Sequence, residues 1–354
     1  MDIRDFGGEF KLIEDIVAEF RNHHGVPVTV GDDAAVVHSG EEYFRVFTTD
    51  ALVEGEHFRL DWSTPYQVGV KTLECNVSDV AAMGAVPEFL LLNLVIRDGL
   101  SLELIRDVYR GIREGCDRYG ITLLGGDTTR GPVLMLSATL TGRTKRPVLR
   151  SGAREGDLIC VTGDVGGAAA AVRLLAVAGG DISDGSSLMT RVMDAADRVI
   201  FASDRVADVR VRLEPCFERL VRRHAEPRCR LDASAVLGPL ATAMIDVSDG
   251  VGSEVRHLCS RSGTGAVIEA AALPIAQDTK DAAQALGTSP LTFALSGGED
   301  YELLCTLPPH ALAGARASLS DLSVIGRVLP QEEGIRLLHA DGREEELPGG
   351  YRHF

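Results

Sequence analysis

TPYQVGVKTLECNVSDVAAMG, residues 64–84, is the stretch whose reading decides the fold. Thr64 is a good helix cap and Pro65 a good first helical residue, so a helix is expected to run from here to about Gly84. Asp79 lies well inside that helix, among small and apolar residues. An ionised carboxylate is costly to bury without a partner. The chain raises the same problem at GDDAAVV (31–37), TTDALVEGEHF (48–58), GGDTTRG (125–131) and IDVSDG (245–250), where Asp follows an apolar run beside Gly or small polar residues. A shared divalent cation site would answer all of them. Hard cations such as Mg²⁺ take oxygen ligands: one or two carboxylates per ion, with waters and phosphate oxygens completing the shell. Gly lets the backbone approach closely, and Thr48 and Thr49 add oxygens beside Asp50. Taken singly, the motifs also fit blander roles. Asp32, Asp33 and Asp127 suit turns, and Ser248 with Asp249 suits a helix cap. Asp79, inside its helix, fits neither.

Outward from this helix, EFKLIEDIVAEF (9–20) reads as an amphipathic helix and FRVFTTD (44–50) as a strand ending in polar residues. EFLLLNLVI (88–96) and VLMLSATLTG (133–142) read as strands buried on both faces. Leu104, Ile105, Val108, Ile112 and Cys116 mark a helix that stops at Gly120. A short strand, ITLL, delivers GGDTT. Turn residues and charge in RPVLRSGAREGD (146–157) separate two domains, 1–148 and 149–354. In the second, LICVTG is a strand followed by a glycine turn and an Ala-rich helix. ATAMIDVSDG is a strand leading into a helix through Leu258. LTFALSGGEDYELLCTLP reads as strand, turn, strand, and DLSVIGRV as a late strand. The polar segment 179–212 reads as a loop with a surface helix and carries no motif.

At 354 residues the chain is too long for one ordinary core, so two domains are expected. Its seven cysteines form no CxxC pair and lie mostly in apolar segments, which suits reduced thiols in the cytoplasm. No stretch is apolar enough to span a membrane. The net charge of −16 argues against a nucleic-acid partner, yet permits a nucleotide substrate if cations bridge Asp to phosphate. There is no GxxxxGK[ST] loop and no GxGxxG. TGDVGGA (162–168) is a tight turn or an anion cradle. No activated nucleophile stands out.

Together, GDDAAVV, TTDALVEGEHF, STPYQVGVKTLECNVSDVAAMGAVP, GGDTTRGP, LRSGAREGD, IDVSDG, LSGGEDYEL and the final GYRHF resemble the thiamine-monophosphate kinase family, in order and over nearly the whole chain. That family belongs to the superfamily of aminoimidazole ribonucleotide synthetase and selenophosphate synthetase. The resemblance implies an α/β (α+β) two-domain fold of the aminoimidazole ribonucleotide synthetase type. The N-terminal domain would bind ATP and Mg²⁺ and pair its sheet across a homodimer, next to a C-terminal α/β domain. It implies ATP-dependent phosphorylation of thiamine monophosphate to thiamine diphosphate. Carried over by motif, Asp33, Thr48, Thr49, Asp50, Asp79, Asp127, Asp246 and Asp249 would hold several Mg²⁺ ions. Tyr109, Gly126, Asp127, Arg150 and Ser248 would contact ATP; His57, Glu299 and Tyr351 would contact thiamine monophosphate. Direct in-line transfer needs no covalent intermediate and no strong base, since a phosphate nucleophile is already ionised. Two alternatives stand beside it: another ATP-using enzyme of the superfamily, and a non-catalytic nucleotide-binding protein. A selenophosphate synthetase is expected to carry Cys or selenocysteine near its N-terminus, where this chain's first Cys is Cys75. A hydrogenase-maturation relative is expected to end in a Cys-bearing tail, where this chain ends YRHF.

Overall fold

The structure, a computed structural model, describes residues 9–351 apart from Arg21, His23 and 179–205. The last residues of the YRHF tail and most of the 179–212 segment therefore lie outside the described residues.

Thr64 starts the helix as the sequence requires. Its hydroxyl accepts from Gln67 N while the Gln67 side chain accepts from Thr64 N, a reciprocal capping box ahead of helix α2 (Pro65–Ala82). A preceding helix α1 spans Glu9–Val17. Helix α3 (Leu102–Tyr119), capped by Ser101 and stopped by left-handed Gly120, packs on α2. The two approach through glycine: a Cβ on Gly69 would lie 2.0 Å from Val108 O, and one on Gly111 would lie 2.2 Å from Tyr66 O. Any larger residue there would push the helices apart.

These helices cover one face of a five-stranded sheet ordered β1 (Ala35–Ser39), β2 (Tyr43–Val53), β5 (Met135–Thr144), β3 (Val86–Ile96), β4 (Thr122–Arg130). Only β3 and β4 run parallel. Burial alternates along β5, and the core of Val46, Leu90, Leu92, Leu94, Leu136 and Leu140 lies under α2 and α3. The expectation of burial on both faces is not met within one chain. Phe47 and Leu91 remain exposed, because α2 and α3 reach only one side, and Leu123 and Leu124 are exposed on the edge strand β4. Strand β4 also runs through GGDTTR instead of ending before it, so Asp127 is a strand residue and not a turn residue.

After a connection over 145–157 comes a seven-stranded sheet ordered β12 (Glu344–Glu346), β11 (Ile335–Leu338), β8 (Gly265–Glu269), β10 (Ser323–Leu329), β6 (Leu158–Val161), β9 (Leu303–Leu307), β7 (Ala243–Asp246). It is antiparallel except for β8 with β11. Helix α4 (Gly167–Ala178) follows β6, and helix α7 (Val251–Ser262) follows β7. Between them, α5 (Val206–Ala225) takes in 206–212, part of the segment expected as a loop, and α6 spans Leu231–Leu237. Residues expected as a first strand in LTFALSGGED form a helix instead, Pro290–Ser296. Ser289 caps it and Pro290 opens it, and a short apolar run cannot by itself be told from a strand. Helix α2 packs against β2 and β5 on one side and β7 on the other, so it joins the two sheets.

Candidate active site

Helix α2 places Asp79 where the ends of both sheets meet. Carboxylate oxygens of Asp33, Asp79 and Asp246 lie within 4.8 Å of one another. They come from the loop before β1, the last turn of α2 and the end of β7. Asp50, from β2, and Asp249, from the loop after β7, stand close enough for their charges to interact. The whole group lines one cavity of about 1060 Å³.

The electrostatics of this group follow from crowding. Burial, then the charges of Asp50, Asp246 and Asp33, hold the Asp79 carboxyl far above the usual carboxylate range. Burial and Asp249 push Asp50 to about 6. Burial and Asp33 push Asp246 to about 8. Like charges this close cannot all ionise without a compensating cation. Protein groups supply little compensation. The Thr48 hydroxyl donates to Asp79, and Ser78 Oγ donates to Asp246 at 2.6 Å. Arg150 donates through Nη2 and Nε to Asp33 Oδ1 at 2.6 and 3.2 Å. Asp33 Oδ2, buried, has no hydrogen-bond partner among the described residues. An orphaned oxygen facing two other carboxylates suits a hard divalent cation.

Of the residues expected at the site, Thr48, Thr49, Arg150, Ser248, His57, Glu299 and Tyr351 line the same cavity. The Thr49 hydroxyl is turned to Ala138 O and Thr139 in the sheet. Tyr351 N donates to Asp249 O at 3.0 Å, which fixes the tail at the cavity rim. Tyr109, Gly126 and Asp127 are not brought to this cavity. Tyr109 packs against the core under α3. Gly126 and Asp127 lie exposed on β4, three strands from β2 and so about 14 Å away at ~4.8 Å per strand.

Some contributors carried no motif. Glu254 Oε1 accepts from Asp249 N at 2.8 Å and holds the IDVSDG turn from behind. Lys71 and His224 are buried against Glu299. Lys71 had a legible signal, since an ionisable residue in a buried stretch of α2 raises the question that Asp79 raises. His224 had none; only the packing of α5 brings it to the cavity.

Comparison with known proteins fits this geometry. The N-terminal domain of AIR synthase related proteins matches residues 31–144, and their C-terminal domain matches 154–338. That defines the class: a paired-domain α/β protein with its cavity where the two domains meet. Over 347 residues the chain is 32% identical to the thiamine-monophosphate kinase of Aquifex aeolicus, covering 98% of each. It is 33% identical to that of Escherichia coli strain K12, again over 98% of each. The solved structure of AaThiL complexed with AMPPCP and TMP superposes with a TM-score of 0.82 at 31% identity, covering 100% of this chain and 99% of that one. The chain belongs to the thiamine-monophosphate kinase family.

Proposed function

We propose that the protein transfers the γ-phosphoryl group of ATP to thiamine monophosphate, giving thiamine diphosphate. The observation that carries this reading is the convergence of Asp33, Asp79 and Asp246 in a cavity that also holds Glu299, His57 and Tyr351. Family membership and the likeness to a complex with AMPPCP and TMP support the choice of substrates.

Asp33, Asp50, Asp79, Asp246 and Asp249, with Thr48 and the oxygens of the Thr49 segment, would hold Mg²⁺. Bound there, the cations would offset the charge that builds up between donor and acceptor phosphates. Arg150 spends Nε and Nη2 on Asp33, which leaves Nη1 for a phosphate oxygen. Ser248, beside Asp249, adds a polar contact at the same end. His57, Glu299 and Tyr351 form the acceptor side. The acceptor phosphate is already ionised, so the chain need only orient it in line and exclude water. For Tyr109, Gly126 and Asp127 the ATP and metal assignments rest on the motif alone. We divide the chain at 148/149, between the two sheets, and the seven buried cysteines, none of them in a disulfide, support a reducing, cytoplasmic setting. Product analysis with ATP, Mg²⁺ and thiamine monophosphate tests the function; ATP turnover without thiamine diphosphate overturns it in favour of another superfamily reaction.

Tyr351→Ala is expected to raise KM for thiamine monophosphate about tenfold, the scale for losing one aromatic contact, with KM for ATP nearly unchanged. Equal effects on both, or a lower melting temperature alone, would mean that the residue only anchors the tail.

We also propose a homodimer. Exposed Phe47 and Leu91 share the sheet face that the helices leave open, with Leu123 and Leu124 exposed on the edge strand beside it, and a second copy's sheet would bury that face. Light scattering at micromolar concentration should report twice the chain mass. A clean monomer would overturn the proposal.

A further inference from the structure

Helix α2 carries a second ionisable residue that the reaction does not use directly. Lys71 is only 2% exposed, which is rare for lysine unless it is paired. Its Nζ donates to His57 O at 2.8 Å and lies 2.6 Å from Glu299 Oε1. On the other side of the same carboxylate, His224 Nδ1 lies 2.9 Å from Glu299 Oε2. Thus one ammonium touches the two segments that bear the acceptor contacts, one from each half of the chain. We propose that Lys71 is the positioning residue of the acceptor end of the cavity, holding the His57 segment and the Glu299 carboxylate at a fixed separation. The proposal deepens the kinase reading and rests on it.

Three features carry the inference. The first is the helix as a ruler. Lys71, Cys75 and Asp79 recur every fourth residue and so share one face of α2. Asp79 faces the other carboxylates, and Cys75 Sγ contacts Tyr301 OH at 2.9 Å. Lys71, which reaches Glu299, is set back about 12 Å from Asp79 along the helix axis at ~1.5 Å per residue. One rigid helix therefore fixes the distance between the metal end and the acceptor end.

The second feature is the backbone of the loop that Lys71 holds. Glu299 and Tyr301 both adopt left-handed conformations, at φ 67° and 52°, which non-glycine residues seldom take. Backbone bonds from Glu299 N to Ser248 O and from Tyr301 N to Val247 O help fix the loop, and Lys71 and Cys75 fix its side chains. Strain of this kind persists only where the surroundings enforce it.

The third feature is charge. Lys71 leads the groups that hold the Glu299 carboxyl well below the usual range against the opposing effect of burial. Burial and Lys71 also lower the pKa of His224, against the opposing effect of Glu299. Paired with Lys71, the Glu299 carboxylate adds no net negative charge to that around Asp79. Glu299 keeps 26% of its side chain open to the cavity, as an ionised acceptor of fixed orientation. A bare ion pair would give little reason to bury a lysine, since well-packed apolar residues do as well for stability. Lys71 is absent from the cavity wall itself, so it acts through His57 and Glu299.

Lys71→Met tests the idea, with Lys71→Gln as a second variant that keeps a hydrogen-bond donor for His57 O. For Lys71→Met, KM for thiamine monophosphate should rise about tenfold or more, with kcat and KM for ATP within about twofold of the parent. Trp62, the chain's only tryptophan, lines the same cavity. Its fluorescence gives the Kd for thiamine monophosphate without turnover, and that Kd should weaken by the same factor. Lys71→Gln should fall between the parent and Lys71→Met.

A pH profile separates positioning from a merely structural role. Lys71 and His224 are the titratable groups in contact with Glu299, with Cys75, Tyr301 and Asp50 nearby. Without Lys71, both Glu299 and His224 take up a proton more readily, and His224 becomes the charge partner of Glu299 as pH falls. The ratio of variant to parent KM should then depend on pH, largest near pH 8 and smaller toward pH 5, and the ratio cancels the ionisation of the substrate phosphate. A flat ratio near one in both variants overturns the proposal, as does a parallel rise in both KM values with a lower melting temperature. Parent protein that makes no thiamine diphosphate overturns the kinase reading instead, and with it the substrate named here.

Discussion

Asp79→Asn is expected to lower phosphoryl transfer by orders of magnitude while leaving the metal-free protein at least as stable as the parent. The stability half of this result follows from crowding. Asp79 is buried beside Asp50, Asp246 and Asp33, and the Thr48 hydroxyl is its one hydrogen-bond donor among the described residues. Asn keeps the shape and an oxygen that can accept from Thr48, and it puts a neutral amide where burial and three acidic neighbours already keep the carboxyl from ionising. The activity half follows from the loss of a ligand at the point where phosphate charge must be offset. Stabilisation by Mg-ATP should shrink in step, because ligand stabilisation follows affinity. A variant that melts lower without metal yet keeps kcat would show that Asp79 serves the fold and not the reaction.

The metal-free parent should also carry a pH signature of the same crowding. Asp246 is raised to about 8 in the fold from 3.8. Between these values the folded chain binds a proton that the unfolded chain does not, so stability falls as pH rises through this window. Saturating Mg²⁺ should flatten the slope and release protons on binding. A metal-free melting temperature that rises from pH 5 to pH 8 would contradict the arrangement.

Arg150→Met should have the opposite balance, with a large effect on folding. Its guanidinium is the one cation bonded to Asp33, whose side chain is fully buried, and its backbone N–H donates to Asp32 at 3.1 and 3.2 Å. Breaking a buried pair by removing one partner costs about 3–5 kcal/mol. The low end applies here, because burial already raises the Asp33 pKa and proton uptake relieves part of the cost. Urea unfolding at neutral pH should therefore show a loss of about 3 kcal/mol, smaller at pH 5 or with Mg²⁺ present. KM for ATP should rise as well. Unchanged stability would mean that Asp33 is neutral in the parent and that Arg150 is not its charge partner.

Much of this molecule was legible in the chain. The capped helix 65–82, the apolar strands 86–96 and 135–144 and the helix ended by Gly120 all depend on local signals: a hydroxyl at a cap, a proline at a first turn, apolar spacing, a glycine at a left-handed stop. The acid motifs were legible for a related reason. A carboxylate next to glycine at the end of an apolar run is anomalous on energetic grounds, whatever it faces. Where local signals were evenly balanced, the reading failed. LTFALS reads as a strand because a short apolar run fits either period, and Ser289 with Pro290 tips it to a helix. GGDTT permits a turn after a short strand because glycine allows one, and pairing with β3 draws it into the sheet.

What the sequence by itself determined was which residues are out of place in an apolar setting, because that depends on each residue and its immediate neighbours. Only the tertiary structure decided which of them meet. Asp33, Asp79 and Asp246 are far apart in the chain, and convergence within 4.8 Å arises because α2 is packed between the two sheets. The same packing sets Lys71 against Glu299 and His224, and it leaves Asp127 on a distant strand. Such meetings depend on the angle and depth at which a helix seats on two sheets at once. That is a property of the whole core, which no local pattern of residues encodes.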